Sequence, residues 1–215
     1  CKQAPANAFF CNDFDTDPWE NAWSLTGTGM GPVTTVFASP PRAMSVTAPA
    51  RTNGNKFGFI ERRLNVGIHA VTLAFDLRID DSASQDAVDV ASMPLHALPF
   101  WAANLRYSHQ AGGSHEFFFF EYGQPIGSEQ ALVRFEPLGA VPKLAAFFHV
   151  AMTMKTSTTA STVRVEIDGV SHEYSVSAHR YAIDNPGVGV GVSGTDLAGA
   201  AFQGYVDNVL VTPAP

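Results

Sequence analysis

The chain has 215 residues, 46% of them hydrophobic and only 15% charged, with a formal net charge of −7 and four lysines. That balance excludes a surface tracking nucleic-acid phosphates, and the longest apolar runs, such as "FFFF" at 117–120, fall far below the ~20 residues a membrane helix needs. With 18 Gly, 14 Pro and 16 Phe, short apolar strands joined by many turns are expected, in one all-β domain.

The first expected feature is covalent. Cys1 and Cys11 are the only cysteines. They either close a small disulfide loop, worth about 3 kcal/mol in the chain-entropy model, or Cys1 carries lipid, as in mature bacterial lipoproteins, with Cys11 a small buried residue. Both readings place the protein outside the cytoplasm: secreted, periplasmic or a surface lipoprotein.

Alternation with a period of two predicts strands at 42–48, 70–80, 100–108, 115–123, 131–138, 147–156, 161–169, 187–194 and 202–212. Turn-forming clusters separate them at 52–55, 80–86, 110–114 and 184–187. The stretch 87–98 is ambiguous, because Pro94 restricts it to an edge or an interrupted strand. The runs 117–120 and 145–154 are apolar on both faces, which places them in covered strands, with Glu116 and Glu121 as flanking charges. The expected organisation is an N-terminal segment 1–12, one domain 13–212 and a tail 213–215.

At "STVRVEIDGVSHEY", 161–174, Asp168-Gly169 suits a two-residue type I′ turn, which needs positive φ at both positions. The register follows. Ile167 opposes Val170, Val165 opposes His172 and Val163 opposes Tyr174 on one face; Glu166–Ser171, Arg164–Glu173 and Thr162–Ser175 form the other. Arg164 and Glu173 are expected to form a cross-strand ion pair.

Three motifs in order, "FCNDFDTDPWENAWSLTGTG" at 10–29, "VRVEIDGV" at 163–170 and "FQGYVDNVLVTPAP" at 202–215, resemble the concanavalin A-like lectin/glucanase superfamily. The nearest likeness is to laminin-G-like jelly-roll domains of secreted bacterial proteins. The resemblance covers essentially the whole chain and implies two antiparallel sheets, one convex and one concave, with glycan on the concave sheet. It also implies neighbouring N- and C-terminal strands and a structural calcium held by Asp15 and Asp207, with further oxygens near Asn12, Asp13 and Asp17. Without metal, Asp207-Asn208 would cap or bridge strand ends. Trp19 and Trp23 are expected to pack inward.

Laminarinase-type relatives carry Glu-x-Asp-x-x-Glu on one strand. Glu166 and Asp168 match its opening, but position 171 is Ser, so the acid of a retaining pair is missing. The Arg-rich and Gln-x-His strands of alginate-lyase-like relatives are also absent. The histidines, at 69, 96, 109, 115, 149, 172 and 179, lack zinc-site spacing, and no Gly-x-Ser-x-Gly elbow or phosphate loop occurs. His109 and His115 bracket the 110–114 turn and could face each other.

Sugar sites pair aromatic rings with amide, carboxylate and guanidinium groups. Trp101, Asn104, Arg106, Tyr107, Glu121 and Tyr122 are therefore the candidate ligand-binding residues. Strand geometry sets a condition on them: Asn104 and Arg106 share one face, Trp101 and Tyr107 the other, so without a bulge they cannot line one groove. The functional expectation is a non-catalytic module that binds polysaccharide or adheres to other cell-surface proteins. A glucanase or lyase with an unfamiliar catalytic set, and a ligand-free structural domain, are the alternatives.

Overall fold

The computed structural model describes residues 1, 4–27, 29–48, 56–65, 67–82, 87–95, 100–109, 115–123, 132–139, 143–178, 186–194 and 202–214. Its strands begin with β1 (Phe10–Asn12), β2 (Leu25–Thr26), β3 (Met30–Val33), β4 (Ala43–Ala48) and β5 (Lys56–Arg63). They continue with β6 (Ala70–Ser82), β7 (Ala87–Leu95), β8 (Trp101–His109), β9 (His115–Gly123) and β10 (Leu132–Pro137). Last come β11 (Phe148–Thr156), β12 (Ser161–Ile167), β13 (Val170–Val176), β14 (Gly187–Gly194) and β15 (Phe202–Pro213). All nine predicted segments are strands. The expected turns lie largely outside the described residues.

Two antiparallel sheets form the expected jelly-roll sandwich. One has eight strands in the order β13-β12-β11-β6-β15-β4-β3, with β1 alongside β15; the other has seven, β10-β9-β8-β7-β14-β5-β2. The cause is visible in β6, where Val71, Leu73, Phe75, Leu77 and Ile79 are all buried and the residues between them are not. One face of the strand is driven out of water, each such side chain contributing about 1.5–3 kcal/mol. Opposite them, Val88, Val90, Trp101, Leu105, Phe117 and Phe119 belong to the same core cluster. Trp19 and Trp23 are buried in it, as expected, with the Trp23 ring stacked on Phe14 at 6.3 Å between centroids.

Chain ends meet as the resemblance implied: Phe10, Cys11 and Asn12 of β1 pair with Val211, Leu210 and Val209 of β15. Cys1 and Cys11 are joined in a disulfide. Farther back along β15, residues 202–206 pair with β4 instead. Around the changeover the register against β6 shifts between Asp207 and Leu210, and Asn208 adopts a φ of 52°. This is a β-bulge, with Asn in the left-handed conformation it tolerates.

Two strands differ from expectation. Residues 56–63, in no predicted strand, form β5 by pairing along their whole length with β14, from Lys56–Gly194 to Arg63–Gly187; they lack the polar and apolar alternation that would have marked them. The ambiguous 87–95 is an internal strand, between β8 and β14. Pro94 is tolerated there because the continuous β14 ladder stops at Ser92–Gly189, leaving only the isolated Leu95–Pro186 bridge beyond it.

The β12–β13 hairpin has the predicted register at every pair from Ile167–Val170 to Thr162–Ser175. Asp168 and Gly169 have φ of 47° and 82°. Arg164, however, pairs along its own strand with Glu166, at 2.9 Å, rather than across with Glu173.

Candidate functional site

Side-chain parity divides the proposed ligand residues. On β8, Trp101, Ala103, Leu105 and Tyr107 point between the sheets and are buried, whereas Asn104 and Arg106 point to the outer face of the seven-stranded sheet. Trp101 donates its Nε1–H to Glu121 Oε1 at 2.9 Å, and the backbone N–H and hydroxyl of Ser177 donate to the same oxygen at 2.7 and 2.6 Å. Glu121, 2% exposed, is thus a structural acceptor between the sheets. The Tyr107 hydroxyl bonds His115 Nδ1, and its ring packs on Phe117 at 5.3 Å. Trp101, Tyr107 and Glu121 are therefore corrected to core residues; no bulge turns them outward.

Asn104, Arg106 and Tyr122 do share the outer face, and the register shows what stands beside them. One cross-strand row runs Phe135, Phe120, Asn104, Ser92, Gly189, Glu61. The next runs Phe118, Arg106, Asp89, Ser193. Asn104 is nearly covered, at 8% exposure, and among the described residues its side chain has no hydrogen-bond partner, so its amide lies at the floor of this row. Glu61 is buried to 8% exposure, with Oε1 3.9 Å from Arg63 Nε.

Arg106 is gripped on two sides. Its Nε and Nη2 donate to Asp89 Oδ1 and Oδ2 at 2.7 and 3.1 Å, the planar fork-to-fork geometry of guanidinium and carboxylate. Its guanidinium carbon sits 3.8 Å from the centre of the Phe120 ring, close enough for cation–π attraction. Burial pushes the Asp89 carboxyl above the usual carboxylate range, against the opposing pull of Arg106.

Aromatic groups flank this polar strip. Tyr122, Phe100 and Phe135 are exposed, and Val133 with them. On the other side a Cβ at Gly189 would fall 2.3 Å from the Phe59 ring, so the ring lies over the bare glycine strip, in the manner of an aromatic covering a strand glycine. Asp89, Ser92, Glu61 and Phe59 escaped the sequence reading, because "FGFIERR" runs from apolar to charged without alternating and Pro94 left the Asp89–Ser92 stretch ambiguous.

The expected calcium donors are bonded to the chain itself. Asp207 Oδ2 accepts the N–H groups of Ala38 and Ser39 at 3.0 and 2.8 Å, and Oδ1 that of Asn208 at 2.7 Å. Its lone pairs thus face amide protons. Asp15 Oδ1 accepts the Arg42 N–H at 3.2 Å and its carbonyl accepts Arg42 Nη2. Among the described residues no three His, Cys, Asp or Glu side chains converge as a metal shell. A cavity of about 420 Å³ does open there, lined by Cys1, Cys11, Asp13, Asp15, Ser39 and Asn208, but it lies away from the seven-stranded sheet.

Neither a family model nor a curated protein matches the sequence. Solved structures do match. An endo-β-1,4-glucuronan lyase from the fungus Trichoderma reesei superposes with a TM-score of 0.72 at 16% identity, over 96% of both chains. An alginate lyase from Chlorella virus gives 0.65 at 11% identity, covering 90% of this chain and 93% of its own. The cellulose-induced protein Cip1 gives 0.60 at 16% identity, covering 94% and 96%. The jelly-roll fold is shared. At these identities the likeness carries the architecture and leaves the chemistry to the residues described above.

Proposed function

We propose that the outer face of the seven-stranded sheet binds a polysaccharide chain, in a protein that works outside the cytoplasm. The carrying observation is the row in which the Asn104 amide, bonded to no described residue, lies between the Phe120–Phe135 rings and the Ser92–Gly189–Glu61 strip. A pyranose has an apolar face and a hydroxylated rim, and this surface offers rings beside an amide, a hydroxyl and a carboxylate. The Cys1–Cys11 disulfide suits an oxidising compartment. Adhesion to a glycan-bearing surface, the laminin-G-like role, is a form of the same reading. Titration of a glycan panel tests it: N104A and Y122A should each weaken binding about tenfold, the effect of one lost polar or stacking contact. Unchanged affinity in both would remove this face from consideration.

A second reading, polysaccharide lyase, is favoured by the architecture shared with the glucuronan and alginate lyases. Elimination requires a base for the proton beside the uronate carboxylate and a group to stabilise the resulting anion. On this face Tyr122 and Asn104 would be those groups. Ultraviolet absorbance of an unsaturated product, absent from a Y122F variant, would establish catalysis.

A further inference from the structure

The charge arrangement on this face bears on which glycan it accepts, an inference that rests on the glycan-binding reading. Among the described residues the outer face carries Glu61, Asp89 and Glu116 against Arg63 and Arg106. Neither arginine presents an uncompensated charge. Arg106 gives two donors to Asp89 at 2.7 and 3.1 Å, and one side of its plane is covered by Phe120 at 3.8 Å. Arg63 stands 3.9 Å from Glu61. A ligand group several ångströms away meets a dipole at each pair, whose field falls faster with distance than that of a charge. The remaining guanidinium N–H groups of Arg106 can still donate to a neutral hydroxyl, which needs a donor and no counter-charge.

A uronate chain needs the opposite arrangement, a cation in reach of every carboxylate it lays on the surface. Here it would meet only these compensated pairs beneath it, and a chain of net charge −7 around it. We infer that the Asp89–Arg106 pair makes this face selective for uncharged glycans, with Asp89 the specificity-determining residue that turns polyuronates away. Asp89 acts through Arg106 and is a positioning residue in that sense: it fixes the plane of the guanidinium and cancels its charge. Replacing the carboxylate by an amide of the same size keeps one acceptor oxygen for the guanidinium, gives up the second bond, and frees the charge.

The test measures binding of the whole chain to neutral cello- and laminari-oligosaccharides and to alginate and glucuronan oligosaccharides of equal length. Wild type should bind a neutral oligosaccharide at least about tenfold more tightly than either polyuronate, the scale of one unit-charge interaction near a protein surface. Asp89→Asn should raise polyuronate affinity by a similar factor, the gain disappearing at high salt. The double variant D89N/R106Q should lose that gain. Equal or tighter polyuronate binding by wild type, or a folded Asp89→Asn with an unchanged ratio, overturns the inference while leaving the face a glycan site. Binding of neither class overturns the glycan-binding reading and this inference with it. Should Asp89→Asn fail to fold, the wild-type comparison decides alone: a polyuronate affinity that matches the neutral one and falls with salt refutes selectivity.

Discussion

His149 Nδ1 lies 3.0 Å from Asp76 Oδ1, across the pairing of β11 with β6. The other oxygen of Asp76 accepts Asn208 Nδ2–H at 2.7 Å, so this pair ties the bulge of β15 to the centre of the eight-stranded sheet. The hydrogen bond to Asp76, against the burial that opposes it, raises the His149 proton affinity, with Glu166 and Asp168 adding to the rise. Burial acts to raise Asp76, but the bonds from His149 and Asn208 outweigh it and hold its carboxyl below the usual range.

The sign of the pH dependence follows. A raised histidine stabilises fully below its unfolded value, ~6.5, and that contribution is lost as pH rises through the higher folded value. Thermal melting should therefore fall slightly as pH rises above ~6.5, and H149Q should flatten the slope there. Because His149 is about half exposed, the effect should stay below ~1 kcal/mol. For Asp76 the contribution is present above the ordinary carboxylate value and lost as pH falls through the depressed one. Melting unchanged on both sides would mean that the pair is not formed in solution.

Asp207 anchors the segment preceding β4 by accepting the N–H groups of Ala38 and Ser39, and it accepts that of Asn208 within the bulge. D207A removes their acceptor, and because Ala38 is exposed and Ser39 and Asn208 are half-buried, water can replace part of it; urea denaturation should show a loss of about 1–2 kcal/mol. A chelator should leave wild-type melting unchanged, since those oxygens are already committed to amides. A chelator-induced drop would show that calcium competes with the backbone there.

Core and face residues should separate cleanly in one experiment. W101A opens a cavity and strips a donor from Glu121, costing about 3–5 kcal/mol, yet its folded fraction should bind glycan normally. N104A and Y122A should do the reverse, weakening binding while stability changes by less than ~1 kcal/mol. Chemical denaturation and calorimetric titration on the same samples give both readings.

Glycines 189 and 191 offer a contrast within one strand. At Gly189 the obstacle to a Cβ is the tip of the Phe59 ring, which can swing aside; G189A should cost little stability and displace the ring from the ligand face, lowering affinity. At Gly191, φ is +126° and a Cβ would fall 2.2 Å from the Gly58 carbonyl oxygen. Backbone cannot give way so easily, and G191A should destabilise by more than about 2 kcal/mol. Similar melting points for the two variants would refute the distinction.

Much of the strand order along the chain was legible because alternation is local. The β12–β13 register could be read residue by residue, since a two-residue Asp-Gly turn leaves no freedom in the pairing. The site was less legible. Asn104 and Arg106 were correctly grouped by parity, whereas Tyr122 was not assigned a face; Asp89 and Ser92 lie opposite them on β7, the stretch that Pro94 made ambiguous, and Glu61 is brought to the row only by long-range pairing through β14. Trp101 and Glu121 looked like ligand groups in the sequence because indole and carboxylate do bind sugars; the same two groups satisfy each other inside the sandwich.

The pairing of Phe10 with Val211 gives the polypeptide nearly the connectivity of a ring. A short peptide could bridge the two flanks without disturbing either layer, and the chain could be cut instead at the exposed Ser157–Ala160 corner. Such a permuted molecule would present the same outer face of the seven-stranded sheet while moving any fused partner from one end of the sandwich to another, a practical handle for display.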